Sequence, residues 1–529
     1  MSVVKTHIIT QKYRDSVQLM RAASSANKLE GVEIASVLMG TPKNKPLLQE
    51  INLLTPEAEN AGSNDIIITI RALTDLYADQ AINYIIKLLC QEPTTHHDET
   101  IFFRSIRGAL SSMPDANLTV ISTPGEYAAR EARLALKQNL NIFLFSDNVS
   151  LEDEISLKQE AHNRGLIVQG PDCGTGMIKS VGLGFSNVVF PGPIGIVAAS
   201  GTGTQEIMAL CQNRGVGIRH AIGTGSRDVT DLIGGISMID GLQALDHDLN
   251  IELIVIVSKP PGEKTLEKVL NKVSNSSKPV IINFLGLKAG YHDYPGKSIT
   301  VNTLEEAAYS AANYIHTKEL KLVPITFDNE DRVERILVNL AKALTTEQKY
   351  IRGLYAGGTF TFEAAMIISK IIPPDEPLWT NVKLKGTKFI ENPKKRLSAH
   401  TLIDMGEEEY TLGKPHPMLD QFERTERFLK EINDPDVAVI LLDFILGYGS
   451  HSDPVADMKE AFEEWKDMSE VIPIVAHLCG TELDPQDYKR LLGELDTLGV
   501  YTMPTNAQAA KLAALIAIRG KIDQLRYKV

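Results

Sequence analysis

Long apolar runs alternate with amphipathic segments along most of this chain. Runs such as DIIITI (65–70), IGIVAAS (194–200) and VAVILLDF (437–444) lack a polar residue at every second position. A strand of this kind is buried on both faces, which is typical of parallel sheets covered by helices. Helical periodicity follows such runs, for example over residues 126–138 and 204–214. The pattern therefore predicts an α/β fold built on parallel sheets.

Breaks in this alternation predict three domains. The segment VVFPGPIG (188–195) holds two prolines and two glycines, and one amphipathic helix lies within residues 321–350. Proline and glycine mark boundaries because they end regular elements. We expect doubly wound domains at residues 1–188, 189–320 and 345–529. The second and third open with the same order of strand, Gly/Thr turn and helix, which is a weak internal repeat.

Composition narrows the class of protein. The 529 residues are 43% hydrophobic and carry a formal net charge of −13, which disfavours non-specific binding to nucleic acid. No apolar stretch reaches the roughly 18 residues of a membrane helix, and the N-terminus does not resemble a secretion signal. The four cysteines lack CxxC spacing, so we expect neither disulfides nor a metal site. These features predict a cytoplasmic protein without nucleic-acid or membrane partners.

Three glycine- and threonine-rich corners each follow a predicted parallel strand and precede a helix. They contain Ser200, Gly201, Thr202, Gly203 and Thr204 (the first corner), Gly357, Gly358 and Thr359 (the second corner), and Gly225, Ser226 and Arg227 (the third corner). Unpaired N–H groups and the helix dipole favour an anion at such a corner, and glycine lets the backbone approach it. No corner matches a nucleotide-binding P-loop or the usual dinucleotide motif. We predict that the first two corners face each other and hold one oxyanion, while Arg227 orients a carboxylate or phosphate.

Most of residues 115–500 resembles the succinyl-CoA synthetase family. GPIGIVAASGTGTQE resembles the start of the second α-subunit domain, and SKPVIINFLG follows in the family's order. Upstream, GLIVQGPDCGTGMI is similar to part of the CoA-binding domain, and IRGLYAGGTFTFEAA is similar to the β-subunit ligase domain. The resemblance implies a Rossmann-like, CoA-binding-type first domain followed by two flavodoxin-like domains. It makes CoA an optional ligand, although no cofactor is required.

Motifs across the whole chain resemble the FdrA family and its YahF-type members. They include YRDSVQLM, FSDNVSLEDE, SGTGTQE, GKPHPMLD and GYGSHSDP. This resemblance implies a subunit of an oxamate carbamoyltransferase, which converts oxalurate and phosphate to oxamate and carbamoyl phosphate in purine nitrogen catabolism. It implies companion subunits, an oligomer and a small anionic substrate with phosphate or carbamoyl phosphate. Two alternatives stay open: a CoA-binding subunit of an acyl-CoA synthetase, and a non-catalytic protein that binds an acyl phosphate.

Departures from the ligase pattern bear on the chemistry. The family phosphorylates a histidine in a Gly-His-Ala-Gly loop, whereas this chain has LKAGYHDYPGK (287–297), in which His292 lies nearby. Glu206 matches the glutamate that, by this resemblance, partners the phosphohistidine, but it is equally a helix-capping residue. The β-subunit's ATP-grasp domain has no counterpart in these motifs. We therefore expect transfer or phosphorolysis rather than nucleotide-driven ligation.

A dense turn, GKPHPMLD (413–420), holds two further candidate residues. Prolines stiffen the turn and present Lys414 and His416 to an anion, or the turn is simply rigid. With a pKa near neutrality, His416 would donate a proton to a leaving amide nitrogen. We expect Glu206, Lys414 and His416 to be the catalytic residues.

For the weaker candidates, an ordinary structural role is the alternative to a function in the site. Cys173 has no evident activating partner, and His451 closes a buried strand. The others are the acidic run near Asp404, the histidines in residues 95–99, and the basic side chains of Arg14, Lys43 and Lys45.

Overall fold

The computed structural model describes residues 2–527, except 13, 15, 43, 91–102, 288–292, 396, 412–413 and 469–471. Its strands are β1 (Val3–Ile9), β2 (Val32–Met39), β3 (Ile66–Ala72), β4 (Leu118–Ile121), β5 (Asn141–Leu144), β6 (Val168–Gln169), β7 (Thr175–Ile178), β8 (Val181–Gly184), β9 (Ile194–Ala198), β10 (Ile218–Gly223), β11 (Leu253–Ser258), β12 (Val280–Phe284), β13 (Ser298–Thr300), β14 (Tyr350–Tyr355), β15 (Trp379–Thr380), β16 (Lys388–Phe389), β17 (Thr401–Asp404), β18 (Val437–Ile445), β19 (Ile474–Cys479) and β20 (Tyr501–Met503).

The helices lie between these strands. They are α1 (Ser16–Asn27), α2 (Lys45–Glu50), α3 (Pro56–Asn60), α4 (Asp75–Cys90), α5 (Ile106–Ser112), α6 (Gly125–Lys137), α7 (Leu151–Asn163), α8 (Gly201–Asn213), α9 (Ile236–His247), α10 (Glu263–Ser274), α11 (Leu304–Thr317), α12 (Glu330–Ala343), α13 (Gly358–Ile371), α14 (Glu408–Thr411), α15 (Phe422–Ile432), α16 (Lys459–Lys466), α17 (Tyr488–Leu498) and α18 (Asn506–Ala517), with short 3₁₀ turns at Ala456–Met458 and Ile522–Tyr527. The predicted α/β alternation is confirmed, and α6 and α8 lie where helical periodicity predicts them.

The chain divides into two compact units. The N-terminal unit is Met1–Phe102 with Met405–Glu426, and the main unit is Phe103–Asp404 with Arg427–Val529. The chain therefore leaves the main unit after β17 and returns within α15. The three predicted domain ranges remain a prediction, because a division into two compact units does not test them.

The sheet of the N-terminal unit is antiparallel, with strand order β1-β3-β2. Ile66, Ile68 and Ile70 pack towards α1 and α4, while Ile67 packs in a second cluster with residues of α2 and α3. This corrects the expectation that apolar runs here mark parallel strands. The runs are continuous because both faces of the sheet are covered, which says nothing about strand direction.

The main unit contains three sheets. A small parallel sheet has the order β4-β5-β6. The middle lobe is the seven-stranded sheet β13-β12-β11-β9-β10-β7-β8 with its helices, parallel from β13 to β10 and closed by the β7–β8 hairpin. The C-terminal lobe is the parallel sheet β16-β15-β17-β14-β18-β19-β20 with its helices.

The two lobes share one strand order and pack through equivalent helices. In the middle lobe the first strand, β9, is flanked by the second and third, and the fourth and fifth follow the third, which is the flavodoxin-like order 2-1-3-4-5. The C-terminal lobe has the same order when its short strands β15 and β16 are left out and β14, β17, β18, β19 and β20 are numbered one to five. Helices α8 and α11 cover one face of the middle sheet, and α13 and α18 cover one face of the C-terminal sheet. α8 packs against α13 and α11 against α18. The weak sequence repeat is thus a pair of similar lobes that meet through their first and last helices.

Candidate functional site

The first corner joins β9 to α8 and is closed by a neutral side chain. Ser200 is the N-cap, and its Oγ accepts the N–H of Gly203 at 3.0 Å. The hydroxyl of Thr204 donates back to the Ser200 carbonyl at 2.6 Å. The N–H groups of Gly201 and Thr202 are the first two of the helix and have no intrahelical acceptor. Two backbone donors and the positive end of the α8 dipole therefore remain at this corner.

The second corner joins β14 to α13 and is closed by a carboxylate. Asp443 of β18 accepts the N–H of Ala356 at 2.7 Å and the N–H of Gly357 at 2.9 Å. Its side chain is fully buried. Gly357, predicted to donate to a bound anion, is thus already paired with an anion of the protein itself. The N–H groups of Gly358 and Thr359 begin the helix and have no intrahelical acceptor.

The two corners meet, as the sequence predicts. The Oγ of Ser200 and the Oγ1 of Thr359 lie 2.7 Å apart and share a hydrogen bond. A Cβ placed on Gly203 would come within 3.2 Å of the Thr359 methyl carbon, and one on Gly357 within 3.0 Å of the Thr202 methyl carbon. Glycine at these positions lets the two helix starts approach this closely, and at Gly203 it also leaves room for the Ser200 Oγ, which a Cβ would meet at 2.4 Å. The positive ends of α8 and α13 therefore converge on one place.

The third corner faces a different part of the main unit. Gly225 has a φ of +80° and abuts the Pro171 carbonyl, and the Ser226 side chain is exposed. Arg227 contacts the Glu154 carboxylate and the Val149 carbonyl, each at 2.8 Å. Arg227 therefore already has a partner of the charge it was predicted to bind. That Arg227 binds a ligand remains a prediction, and such a ligand would have to compete with the Glu154 carboxylate.

Glu206 is paired with a histidine that sequence reasoning missed. The Nε2 of His477 lies 2.7 Å from Glu206 Oε2, and His477 Nδ1 donates to the Met503 carbonyl at 3.2 Å. Glu206 Oε1 also accepts the N–H of Asn506 at 3.3 Å. Burial lowers the pKa of His477, but the charge and hydrogen bond of Glu206, together with the Met503 carbonyl and the Asp443 charge, outweigh it, so the pKa is raised. A lone histidine inside the apolar strand VIPIVAHLC was the available signal.

Glu363 occupies the matching position in the C-terminal lobe. Its Oε1 accepts the N–H of Leu304 at 2.7 Å, and its Oε2 accepts the side-chain amide of Asn506 at 2.8 Å. Burial raises the pKa of this carboxyl to about 8, helped by the charges of Glu206 and Glu305. Glu363 is therefore largely protonated at neutral pH.

Lys259 is a second residue that sequence reasoning missed. It follows β11 directly, and β11 pairs with β9 at Val257 and Ala198, two positions before Ser200. Its Nζ lies 5.9 Å from the ring centroid of Phe362, in the second turn of α13, and the side chain is half-buried. Among the described residues, no carboxylate oxygen lies within 4.0 Å of this ammonium group. Lys259 thus adds a positive charge near the converging helix ends.

Lys414 and His416 belong to the N-terminal unit. Lys414 pairs with Glu423, and His416 Nδ1 accepts the N–H of Met418 at 3.1 Å. Burial, with the charge of Arg424, lowers the pKa of His416 to about 4. This corrects the expectation of a histidine that titrates near neutrality, because the imidazole is neutral at pH 7 and is not a ready proton donor.

The weaker candidates have structural roles or lie outside the described residues. Cys173 is buried, and burial raises the pKa of its thiol to about 12, so it is not an activated nucleophile. His451 Nδ1 accepts the N–H of Asp453 at 3.0 Å. Arg14 donates to the Leu89 carbonyl and Lys45 to the carbonyls of Glu59 and Ala61. Lys43, His292 and residues 95–99 lie outside the described residues.

One group of metal-type ligands occurs within the described ranges. It consists of Glu206, His477 and Cys479, whose ligand atoms lie within 4.8 Å of one another. The Glu206–His477 separation of 2.7 Å is that of a hydrogen bond, and burial raises the pKa of the Cys479 thiol well above its usual value. A metal would have to displace these hydrogen bonds and a thiol proton. The donors fit a buried ion pair better than a metal centre.

Each of the two lobes matches a known domain family. Residues 354–516 match the CoA-ligase family, and residues 191–286 match the CoA-binding domain family. Residues 1–101 match a domain described as "AllF, heavy metal-associated domain", although Cys90 is the sole cysteine there and no CxxC pair exists. The chain therefore carries a CoA-binding-type domain in the middle lobe and a CoA-ligase-type domain in the C-terminal lobe.

The particular family follows from a relative that matches over nearly the full length. The chain is 38% identical over 522 residues to the uncharacterized protein YahF of Escherichia coli K12, covering 98% of this chain and 99% of that protein. It therefore belongs to the YahF family. It is also 26% identical over 186 residues to the succinate–CoA ligase α subunit of Methanothermobacter thermautotrophicus, covering 35% of this chain and 60% of that subunit.

The solved structures that align with this chain do so at low TM-scores and low sequence identity. A dinucleotide-forming acetyl-coenzyme A synthetase from Ca. Korarchaeum cryptofilum aligns with a TM-score of 0.31 at 16% identity, covering 80% of this chain and 87% of that one. The ATP citrate lyase of Methanothrix soehngenii aligns with a TM-score of 0.35 at 13% identity, covering 80% and 85%. Among the described residues, no helix combines the length and apolar character that crossing a membrane requires.

Proposed function

We propose that the main unit binds a phosphate or acyl phosphate between the first and second corners and acts in acyl transfer of the CoA-ligase type. The observation that carries this proposal is the 2.7 Å contact between Ser200 and Thr359, which brings two helix N-termini together. Each N-terminus carries roughly half a positive charge. An oxyanion placed there would receive the N–H groups of both helices and both hydroxyls.

The local charges support an anion at the first corner more than at the second. Asp443 places a carboxylate at the second corner and already accepts from Ala356 and Gly357, so there the bound group would rely on the N–H groups of Gly358 and Thr359. Lys259 adds a cation that no described carboxylate neutralises. A ligand oxygen accepting from Ser200 and Thr359 would replace their mutual hydrogen bond with charge-assisted ones, which are stronger.

The reaction class follows from the two matched families. In acyl transfer to CoA, the thiolate attacks the carbonyl carbon of an acyl phosphate, and orthophosphate leaves with the bridging oxygen. The converged corners would hold the phosphoryl group during this step and stabilise the charge that it gains. Positioning both reactants would supply a further share of the rate enhancement. The CoA-ligase match over 354–516 and the CoA-binding match over 191–286 support this class.

Direct binding tests this proposal. Inorganic phosphate, acetyl phosphate and CoA are titrated into the full chain by calorimetry, with Ser200→Ala and Thr359→Val as variants. We expect each variant to raise the Kd for phosphate about tenfold, since each removes a hydrogen bond to a charged group. Matched controls are Ser111→Ala on α5 and Thr497→Val on α17, whose hydroxyls bond only their own helix. Equal phosphate affinity in all five proteins would reject the site.

A carbamoyltransferase subunit is the second candidate. The observation that favours it is the segment LKAGYHDYPGK, which lacks the Gly-His-Ala-Gly loop of a phosphohistidine enzyme. In this reaction a phosphate oxygen attacks the carbamoyl carbon of oxalurate, the C–N bond breaks, and the oxamate nitrogen takes a proton. Carbamoyl phosphate is an acyl phosphate, so the same corners would hold it.

Companion subunits and an oligomer are part of this second candidate. The test is co-purification of the chain with its genomic neighbours, followed by an assay for carbamoyl phosphate from oxalurate and phosphate. Turnover without CoA supports the transferase, and tight CoA binding without such turnover supports the acyl-CoA synthetase reading. Phosphate binding in the absence of turnover with any companion supports a non-catalytic acyl-phosphate-binding protein.

A further inference from the structure

The two lobes present similar seven-residue segments, identical at four of seven positions, where they meet. SGTGTQE (200–206) opens α8, and GGTFTFE (357–363) opens α13. In both segments the fifth residue, a threonine, donates back to the carbonyl of the first, at 2.6 Å in the first segment and 3.1 Å in the second. In both, the seventh residue is a buried glutamate.

Each glutamate binds the start of the other lobe's last helix. Glu206 of the middle lobe accepts the N–H of Asn506, the first residue of α18 in the C-terminal lobe. Glu363 of the C-terminal lobe accepts the N–H of Leu304, the first residue of α11 in the middle lobe. The first N–H groups of a helix have no intrahelical acceptor. Each glutamate therefore supplies an acceptor to a helix start of the other lobe. The two contacts form a reciprocal cap, consisting of Glu206 with Asn506 and Glu363 with Leu304.

We infer that this reciprocal cap holds the first and second corners at a fixed separation, and that His477 is a positioning residue for the anion site. The inference deepens the proposed function and rests on it. His477 fixes Glu206 by one ring nitrogen and is itself fixed by the other, through Met503. Glu206 lies six residues from Ser200 along α8, about 9 Å at 1.5 Å per residue. His477 therefore acts on the corner through α8 and not by touching the ligand.

The cap is chemically asymmetric, and the asymmetry singles out His477. By strand register, Asp443 pairs with His477 on the fourth strand of the C-terminal lobe, and Val257 pairs with Asn283 on the fourth strand of the middle lobe. Asn283 donates to the Val301 carbonyl as His477 donates to Met503. Of the two, only His477 also contacts a glutamate. Among the described residues, no cation lies within 4.0 Å of Glu363.

Two substitutions of His477 distinguish the contact of its ring with Glu206 from the contact with the Met503 carbonyl. In His477→Asn the amide nitrogen replaces Nδ1 and loses the contact with Glu206, whereas in His477→Gln it replaces Nε2 and keeps that contact. We expect His477→Asn to raise the Kd for inorganic phosphate about tenfold and to speed amide exchange of residues 506–508 about tenfold. His477→Gln should stay within about threefold of the wild type in both measurements. The exposed His247→Asn on α9 is the matched control, expected to change neither.

The two readouts keep this inference distinct from the proposed function. Wild-type protein that binds no phosphate would reject the proposed function, and the exchange data would still decide whether His477 supports the cap. If His477→Asn binds phosphate normally and exchanges normally at 506–508, the inference is wrong and the site stands. A chain that folds as His477→Gln but not as His477→Asn supports the assignment, because the two differ only in the nitrogen replaced.

Discussion

The first and second corners have similar sequences, but a neutral hydroxyl accepts backbone N–H groups at one and a carboxylate does so at the other. At the first, the Ser200 hydroxyl caps α8, and at the second, the Asp443 carboxylate bonds the N–H groups of Ala356 and Gly357. The position that matches Asp443 in the middle lobe is Val257, which lies beside Gly203. The residue at this strand position therefore decides whether a carboxylate or an aliphatic side chain lies at the corner. The comparison teaches that a shared glycine-rich turn does not mean a shared affinity for anions.

The same contrast appears in the two glutamates of the reciprocal cap. Glu206 contacts the His477 imidazole, whereas Glu363 faces the amide of Asn506 and carries a raised pKa. Burial raises the pKa of Glu363 because removal from water penalises the charged form. Substitutions at these matched positions and at the two corners would sharpen or break the comparison.

Glu206→Gln should have the largest effect. It leaves the buried His477 without its carboxylate, and breaking a buried pair costs roughly 3–5 kcal/mol. We expect the free energy of unfolding in urea to fall by about 3 kcal/mol, while Glu363→Gln at pH 8 costs less than about 1 kcal/mol. Equal losses in the two variants would show that the lobes treat their glutamates alike.

The next largest effect should be the pH dependence of the difference in unfolding free energy between the wild type and Glu363→Gln. Burial raises the folded-state pKa of Glu363 to about 8 from an ordinary 4.5, so the folded state binds more protons between these values. Stability conferred by wild-type Glu363 is therefore lost as pH rises from about 5 to 8. Relative to Glu363→Gln, the wild type should lose on the order of 3 kcal/mol over this window. Urea unfolding at pH 5, 6.5 and 8 measures the difference, and parallel curves would contradict it.

Ser200→Asp should make the first corner resemble the second. Aspartate caps a helix about as well as serine, so the free energy of unfolding should change by less than about 1 kcal/mol. The added carboxylate should repel phosphate and raise its Kd by about 100-fold, or about 2.7 kcal/mol. Ser105→Asp, at the N-cap of the short helix α5, is the control for an added charge. Unchanged phosphate binding in Ser200→Asp would place the anion elsewhere.

Asp443→Asn should have the smallest effect, in the opposite direction. It removes the negative charge at the second corner but keeps one acceptor for Ala356 or Gly357. We expect phosphate affinity to rise about fivefold, with a stability cost of about 1–3 kcal/mol from the N–H group left unpaired. Phosphate calorimetry and thermal unfolding measure the two effects. Weaker phosphate binding would mean that Asp443 orders the site rather than opposes the anion.

Much of the fold was predictable because its signals are local. The apolar runs at 194–200 and 437–444 are strands β9 and β18, and the Gly/Thr corners begin α8 and α13 where expected. The antiparallel N-terminal sheet was not predictable from the same signal, since burial on both faces produces an apolar run in either direction. His416 was misjudged for a similar reason, because its low pKa comes from burial and from Arg424, which a turn motif does not reveal.

By itself, the sequence determined which segments become strands, corners and helices, and that two lobes would repeat one pattern. These features depend on hydrophobic periodicity, glycine and capping residues within a few positions of one another. Only the tertiary structure decided that Ser200 meets Thr359, that Asp443 fills the second corner, and that His477 pairs with Glu206. The partners come from strands and helices far apart in the chain. Their hydrogen bonds form because burial between the lobes leaves these polar groups no water to bind.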